Sequence, residues 1–423
     1  MAAFEARPAS RGHFRIVLLL AIAVFFNYAD RGNLSTVAPS LKSELGISNA
    51  WLGVLLSSFF WVYAPAQLVA GSFAQRLNVR VVLACGLALW SLATLFTGLA
   101  GGLVSILLLR LLLGAGEAAI FPCTSRILAE SVPEAERGKA NGLITTGMAI
   151  GPMAGTFIGG LILAQFGWRW VFVAFGLVSI FWLWPWLTTR QPAALPVAHE
   201  DDHEPPSYAQ ILTKRAAWGA SLGHFATNYS QYLVLTWLPT FLVKGQGFSL
   251  TQMATIGAIV YLAQAIGSLV SGWGSDHLIA SGSRINGRRA MVMIGTAGAG
   301  VSLLGAGLTS GIAAAAMMTL AGFFIGTMTP MVYSIAQTLA GPRAGGRWVG
   351  LQNFVANLAG IIGPIVTGWL VDRTGSYLPA FIVAAAVAVV GLIAWGLIVP
   401  AISPVQWQNQ GRNQGAGRSS SVS

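Results

Sequence analysis

The chain is 423 residues long, 55% hydrophobic and only 9% charged, with a net charge of +11. Soluble domains carry about 25% charged residues, and no soluble core absorbs this much apolar surface, so the class is an all-α polytopic membrane protein. In a soluble protein the positive excess would suggest nucleic acid; here it falls in short loops, where it sets orientation, and no nucleic-acid partner is expected.

Residues 1–13 are polar and basic and read as a cytoplasmic N-terminal segment. The apolar run after them reaches Asp30 without a small-residue cleavage site, so it is a first membrane span rather than a signal peptide. Six spans are predicted in the first half (14–188), at roughly 14–38, 50–71, 79–99, 102–129, 139–164 and 169–188. The stretch 189–216, rich in Pro and charge, reads as a cytoplasmic linker. Six more spans follow in the second half (217–400), at roughly 217–242, 251–274, 288–309, 311–338, 348–371 and 377–400, and 401–423 reads as a disordered cytoplasmic tail. Barrel strands are shorter and alternate in polarity, so the spans are helices. Cys85 and Cys123 lie in apolar runs and imply no disulfide framework.

With the N-terminus in the cytoplasm, eighteen Lys and Arg fall inside, four outside, and Arg31 and Arg110 within spans. That asymmetry fits twelve spans with both termini cytoplasmic. The halves also echo each other: "GPMAGTFIGG" in the first answers "GPIVTGWLVDRTG" in the second. Parallel six-span repeats mark transporters whose substrate site lies between the halves near the midplane.

Four charges fall well inside spans: Asp30 and Arg31 on the first, Arg110 and Glu117 on the fourth. On insertion scales each costs about 2.5–3.5 kcal/mol at the bilayer centre, so such groups mark substrate or proton paths. At 1.5 Å per residue Asp30 lies about 24 Å along its span and Arg110 about 12 Å into a span of opposite direction. The two therefore reach similar levels, and an Asp30–Arg110 pair is expected. Arg31 offers a planar fork for a carboxylate. Asp30 and Glu117 take protons when their Arg partners are engaged elsewhere, because a dry site favours the neutral acid. Together these groups describe proton-coupled anion symport.

The polar groups of the second half suit the other wall of such a site: Asn228, Tyr229, Gln231 and Tyr232 on the seventh span, Tyr261 and Gln264 on the eighth, Tyr333, Ser334 and Gln337 on the tenth, Asn353 and Asn357 on the eleventh. Each is balanced between cavity lining and interhelical hydrogen bonding. Lone His224 is expected to be a satisfied interior residue.

The segments "NYADRGNLSTVAPSLKSELGIS", "SSFFWVYAPAQLVAG", "RLLLGAGEAAIFP", "YLVLTWLPTFL" and "LQNFVANLAGIIGP" resemble the anion:cation symporter branch of the major facilitator superfamily, which includes sugar-acid, hexuronate and phthalate permeases, sialin and the vesicular glutamate transporters. The resemblance implies twelve helices in two pseudo-symmetric halves. It assigns anion binding to Arg31, proton coupling to Asp30 and Glu117, and cavity positions to Arg110, Tyr63 and Asn357. The chain departs from the branch at Met148, where sugar-acid members have Gln. It also has Leu56 and Thr227 where vesicular glutamate transporters have His and Arg. Apolar Met148 and Leu56 favour a less polyhydroxylated acid, and the lack of a seventh-span arginine disfavours phosphate esters. "GSFAQRLNVR" resembles the superfamily's gating loop with Gln75 in place of Asp, and "GWGSDH" keeps the acid as Asp276.

Two further patterns carry no chemistry. "HEDDH" at 199–203 has zinc-protease spacing, but Pro196, Pro205 and Pro206 deny it a helix, so no metal is expected. "GAGEAA" at 114–119 mimics a dinucleotide fingerprint without a βαβ unit. Gly151, Gly155 and Gly159 form a ridge for helix contact. The expectation is a non-enzymatic carrier of the bacterial inner membrane, working as a monomer among lipids. It imports an organic carboxylate with protons and needs no cofactor. A proton-driven exporter of drugs or metabolites would share the fold but need no anion fork at Arg31. A membrane sensor would need a larger cytoplasmic domain than the linker supplies.

Overall fold

The computed structural model describes residues 11–132, 134–189, 206–280 and 287–407. The "HEDDH" segment and residues 408–423 lie outside that range, as do the side chains of Gln75 and Asp276. Among the described residues the protein is helical throughout, with nine helices long and apolar enough to cross a membrane. Helices α1 (Arg11–Leu45), α2 (Asn49–Arg76) and α10 (Arg215–Thr240) have the length for three more. They would complete the predicted twelve.

The remaining helices of the first half are α3 (Val79–Thr97), α4 (Leu103–Glu117), α5 (Ile120–Ser131), α6 (Glu134–Phe166), α7 (Trp168–Phe181) and α8 (Leu183–Thr188). The fourth predicted span is thus two helices, α4 and α5, with a turn at Ala118–Ala119 directly after Glu117. The linker holds α9 (Tyr208–Leu212), and the second half adds α11 (Leu250–Ala280), α12 (Gly287–Leu308), α13 (Gly311–Thr374) and α14 (Leu378–Ile393). Predicted spans ten and eleven both lie in α13, which is kinked at Gly341. There φ is +64°, a conformation open to glycine at little cost. Short π-helical turns close α10 (Phe241–Gly245) and α14 (Ala394–Ile398).

Glycine ridges set the close approaches. A Cβ on Gly147, Gly151 or Gly155 of α6 would lie 2.6, 2.7 and 2.7 Å from the carbonyl oxygens of Ala21, Phe25 and Ala29 on α1. The expected ridge is real but shifted by one turn, since Gly159 has only ordinary contacts from 3.5 Å outward. Backbone contact of this kind suits a bilayer, where packing rather than hydrophobic burial joins helices. Exposed Leu108, Ile259, Leu269, Val301 and Leu397 leave the outer faces apolar.

Two segments read as polar from sequence are ordered. Ser207 caps α9 in a capping box with Gln210, and Ile211 is fully buried. Residues 401–407, expected to begin a disordered tail, lie against the bundle: Val405 N–H donates to the Leu339 carbonyl, and the Trp407 ring packs edge-on to Trp348. Their apolar side chains gain burial that composition alone understates. In the loop motif, Arg80 donates to the carbonyls of Trp186 and Thr189 at 2.7 Å each and fixes the end of α8.

Candidate functional site

All four intramembrane charges are interior: Asp30 is 2% exposed, Arg31 7%, Arg110 4% and Glu117 0%. None faces the lipid side of its helix. The expected Asp30–Arg110 pair does not form. Instead Arg31 Nε donates to Glu117 Oε2 at 2.8 Å. The helical wheel explains the difference. Successive residues turn by about 100°, so Asp30 points to α7 while Arg31 reaches α4. Asp30 accepts from Asn33 Nδ2 at 3.0 Å and stands 3.5 Å from Ser179 Oγ. Arg110 has no ion pair among the described residues, and its guanidinium lies 5.3 Å from the Phe59 ring centre.

Aromatic rings frame Arg31. Its Cζ lies 4.5 Å from the centre of Tyr63, 4.8 Å from Tyr28 and 5.3 Å from Phe59. Such faces attract a guanidinium without neutralising it. Among the described residues its Nη2 has no hydrogen-bond partner. The fork therefore keeps a free donor beside a carboxylate that already holds its Nε edge. Gly114 allows this framing: a Cβ there would lie 2.4 Å from the Phe59 carbonyl oxygen, so α4 sits against the backbone of α2.

The second half meets this cluster through aromatic and amide groups. The rings of Phe60 and Tyr232 are 4.4 Å apart between centroids. Tyr232 OH donates to Asn357 Oδ1 at 2.6 Å, and Asn353 Nδ2 donates to Gln67 Oε1 at 3.0 Å. Gln264 Nε2 donates to Gln231 Oε1 at 2.6 Å. Tyr229 and Tyr261 are buried, while Asn228, Ser334 and Met148 are half-buried. Gln337 is exposed, four residues before the Gly341 kink. His224 is interior as expected, with Gln352 Nε2 3.4 Å from its Nδ1 and Tyr333 edge-on at 5.5 Å.

Sequence reasoning missed Phe59, Gln67, Asn33 and Ser179. A signal existed for Gln67, which follows Tyr63 by one turn and shares its face. Ser179 carried none, because its approach to Asp30 depends on how α7 crosses α1.

The Major Facilitator Superfamily pattern matches residues 20–285 and 279–421. The chain belongs to the major facilitator superfamily. This major facilitator chain is 30% identical over 420 residues to a D-galactonate transporter of Escherichia coli O6:H1, across 93% of itself and 97% of that protein. It is 29% identical to the hexuronate transporter of Bacillus subtilis, across 91% and 94%. Identity to a probable sulfoacetate transporter of Cupriavidus necator is also 29%, across 92% and 94%. Among solved structures it is similar to a bacterial homolog of the human lysosomal transporter Spinster in an inward-facing, unoccupied conformation. The TM-score there is 0.76 at 21% identity, over 91% of this chain and 96% of that one. The protein is therefore a membrane transporter and not an enzyme, and its relatives carry organic and inorganic anions.

Proposed function

We propose that this transporter imports an organic carboxylate together with protons across the bacterial inner membrane, with both termini cytoplasmic and a single chain as the working unit. The observation that carries the reading is the Arg31 guanidinium, buried under three rings, paired with Glu117 on one edge and free at Nη2. An incoming carboxylate takes the unpaired Nη2 donor and competes with Glu117 for the same charge. A carboxylate that loses its partner in a dry site is held more favourably as the neutral acid. Binding of the anion and uptake of a proton at Glu117 are thereby coupled. Among the described residues Asp30 has no cationic partner within ion-pair distance, and it serves as a second proton carrier.

Rocking of the two halves then changes which side of the membrane reaches the fixed site between them. Tyr232, Asn357 and Asn353 supply neutral contacts on the second-half wall, and Met148 keeps the first-half wall short of hydroxyl partners. These features support a carboxylate with few hydroxyl groups, such as an aromatic acid or a sparsely hydroxylated sugar acid. The test is uptake by purified protein in proteoliposomes, under imposed proton or sodium gradients, against sugar acids, aromatic acids and dicarboxylates. Uptake driven by the proton gradient and lost in Arg31→Gln supports the reading. Uptake driven by sodium alone, or substrate extrusion with Arg31 dispensable, overturns it.

A further inference from the structure

The halves are tied at one end of the bundle and again about two-thirds of the way along α2, and the ties differ in kind. At the end away from the chain termini, the Asp372 carboxylate accepts three hydrogen bonds. They come from the Asn49 backbone N–H at 2.9 Å, the Asn49 side-chain amide at 2.8 Å and the Ala50 backbone N–H at 2.6 Å. Asn49 and Ala50 open α2, where free N–H groups and the helix dipole favour a negative charge. The backbones beneath are in contact. A Cβ on Gly368 would lie 2.1 Å from the Asn49 carbonyl oxygen, and one on Gly53 would lie 2.3 Å from that of Pro364.

Nearer the termini the tie is neutral: Asn353 Nδ2 to Gln67 Oε1 at 3.0 Å. Gln67 lies 18 residues into α2 from Asn49, about 27 Å at 1.5 Å per residue. Tyr63, which holds Arg31, lies between the two ties. A carrier that exposes this site to one side and then the other must break one tie at a time.

We propose that Asp372 and Gln67 are positioning residues of the transport cycle: Asp372 latches the gate at the far end, and Gln67 latches the gate at the terminal end. Three bonds to a carboxylate outweigh one bond between neutral amides, so the resting protein opens first at the terminal end. The inference rests on the two-half carrier architecture alone. The terminal tie shares Asn353 with the cargo wall proposed above, whereas the Asp372 tie uses neither cargo nor coupling ion, so the Asp372 measurement and the proposed function fail separately.

The test is pulsed dipolar spectroscopy on the full chain in lipid nanodiscs, with Cys85→Ser and Cys123→Ala removing native thiols. One label pair sits at exposed Phe166 and Thr309 near the far end, the other at exposed Leu77 and His277 near the terminal end. Asp372→Ala is expected to raise the population with the far pair separated by about tenfold, and Asp372→Glu to restore most of the closed population. Gln67→Ala is expected to act in the opposite sense, lengthening the terminal pair by a population shift of about fivefold. A nonspecific loosening would move both pairs the same way in both variants. That outcome, or unchanged distances in Asp372→Ala, overturns the assignment. Should Asp372→Ala not fold, Asp372→Asn keeps one acceptor oxygen and must shift the far pair in the same direction by less.

Discussion

Arg31 and Glu117 stand 86 residues apart in sequence and 2.8 Å apart in space, and theirs is the ion pair that ties α1 to α4. Asp30, one residue earlier, bonds to its own helix and faces α7 instead. Two neighbouring charges thus serve separate interfaces, Arg31 joining α1 to α4 and Asp30 facing α7. Under the proposed function this separation lets Asp30 be altered without breaking the Arg31–Glu117 pair.

Arg31→Gln is expected to lower uptake by at least about 100-fold, because the proposed anion loses its charge-assisted hydrogen-bond donor. The same change leaves the Glu117 carboxylate unpaired in a dry interior. Breaking one side of a buried pair costs about 3–5 kcal/mol, so the thermal midpoint should fall as well. Adding Glu117→Gln to Arg31→Gln removes the stranded charge and should recover part of that midpoint without recovering uptake. A double variant less stable than Arg31→Gln would contradict the pairing.

Glu117→Gln and Asp30→Asn keep side-chain shape but cannot release a proton. Each is expected to retain substrate exchange between equal pools while losing accumulation driven by a pH gradient. Unchanged accumulation in Asp30→Asn rules out a coupling role for Asp30. The charge moved per turnover separates the two acids. One monoanion with one proton is electroneutral, whereas a second proton makes uptake electrogenic and worth about 2.3 kcal/mol per 100 mV. A membrane-potential dependence lost in only one of the two variants identifies the second carrier.

The buried charges were legible because a charge inside an apolar run is a one-dimensional signal. Depth along each helix was legible only coarsely: the fixed rise per residue set the α1 charges level with Arg110, yet Arg31 meets Glu117, seven residues further along α4. Azimuth was not. Whether Asp30 or Arg31 meets the fourth rod depends on how α6 holds α1, and that is set by Gly147, Gly151 and Gly155, far downstream in the chain. The break at Ala118–Ala119 also escaped, since neither alanine is a helix breaker. The partners of Asp372 were invisible for the opposite reason: an acidic residue near a span end reads as an ordinary loop charge until the facing helix end is known.

The α1–α6 seam gives a packing test. A Cβ at Gly155 would lie 2.7 Å from the Ala29 carbonyl oxygen, so Gly155→Val must push the helices apart next to Asp30. Overpacking of this kind costs about 1–3 kcal/mol. Gly159→Ala, four residues on, meets only contacts of 3.5 Å or more and should stay within about 0.5 kcal/mol of the parent. Thermal midpoints of the two variants, measured side by side, should separate clearly. Equal midpoints would deny the seam its role in seating α1.

The end of α1 supplies a pH test away from the transport site. Glu44 Oε2 accepts from Trp168 Nε1 at 2.6 Å, and its Oε1 accepts from Arg169 Nη1 at 2.8 Å. The Trp168 bond first, and the Arg169 bond and charge second, hold the carboxyl below the usual glutamate range. A carboxyl lowered in the folded state contributes stability that is fully present above its unfolded value, about 4.3. That contribution is lost as pH falls through the lower, folded value. The thermal midpoint of the parent minus that of Glu44→Gln should therefore be positive and flat near neutral pH, then shrink toward zero below about pH 4. Other carboxylates titrate in both proteins and cancel in the difference. A difference that grows on acidification would mean that Glu44 is held above its ordinary range, and that the contact with Trp168 and Arg169 does not tie α1 to α7.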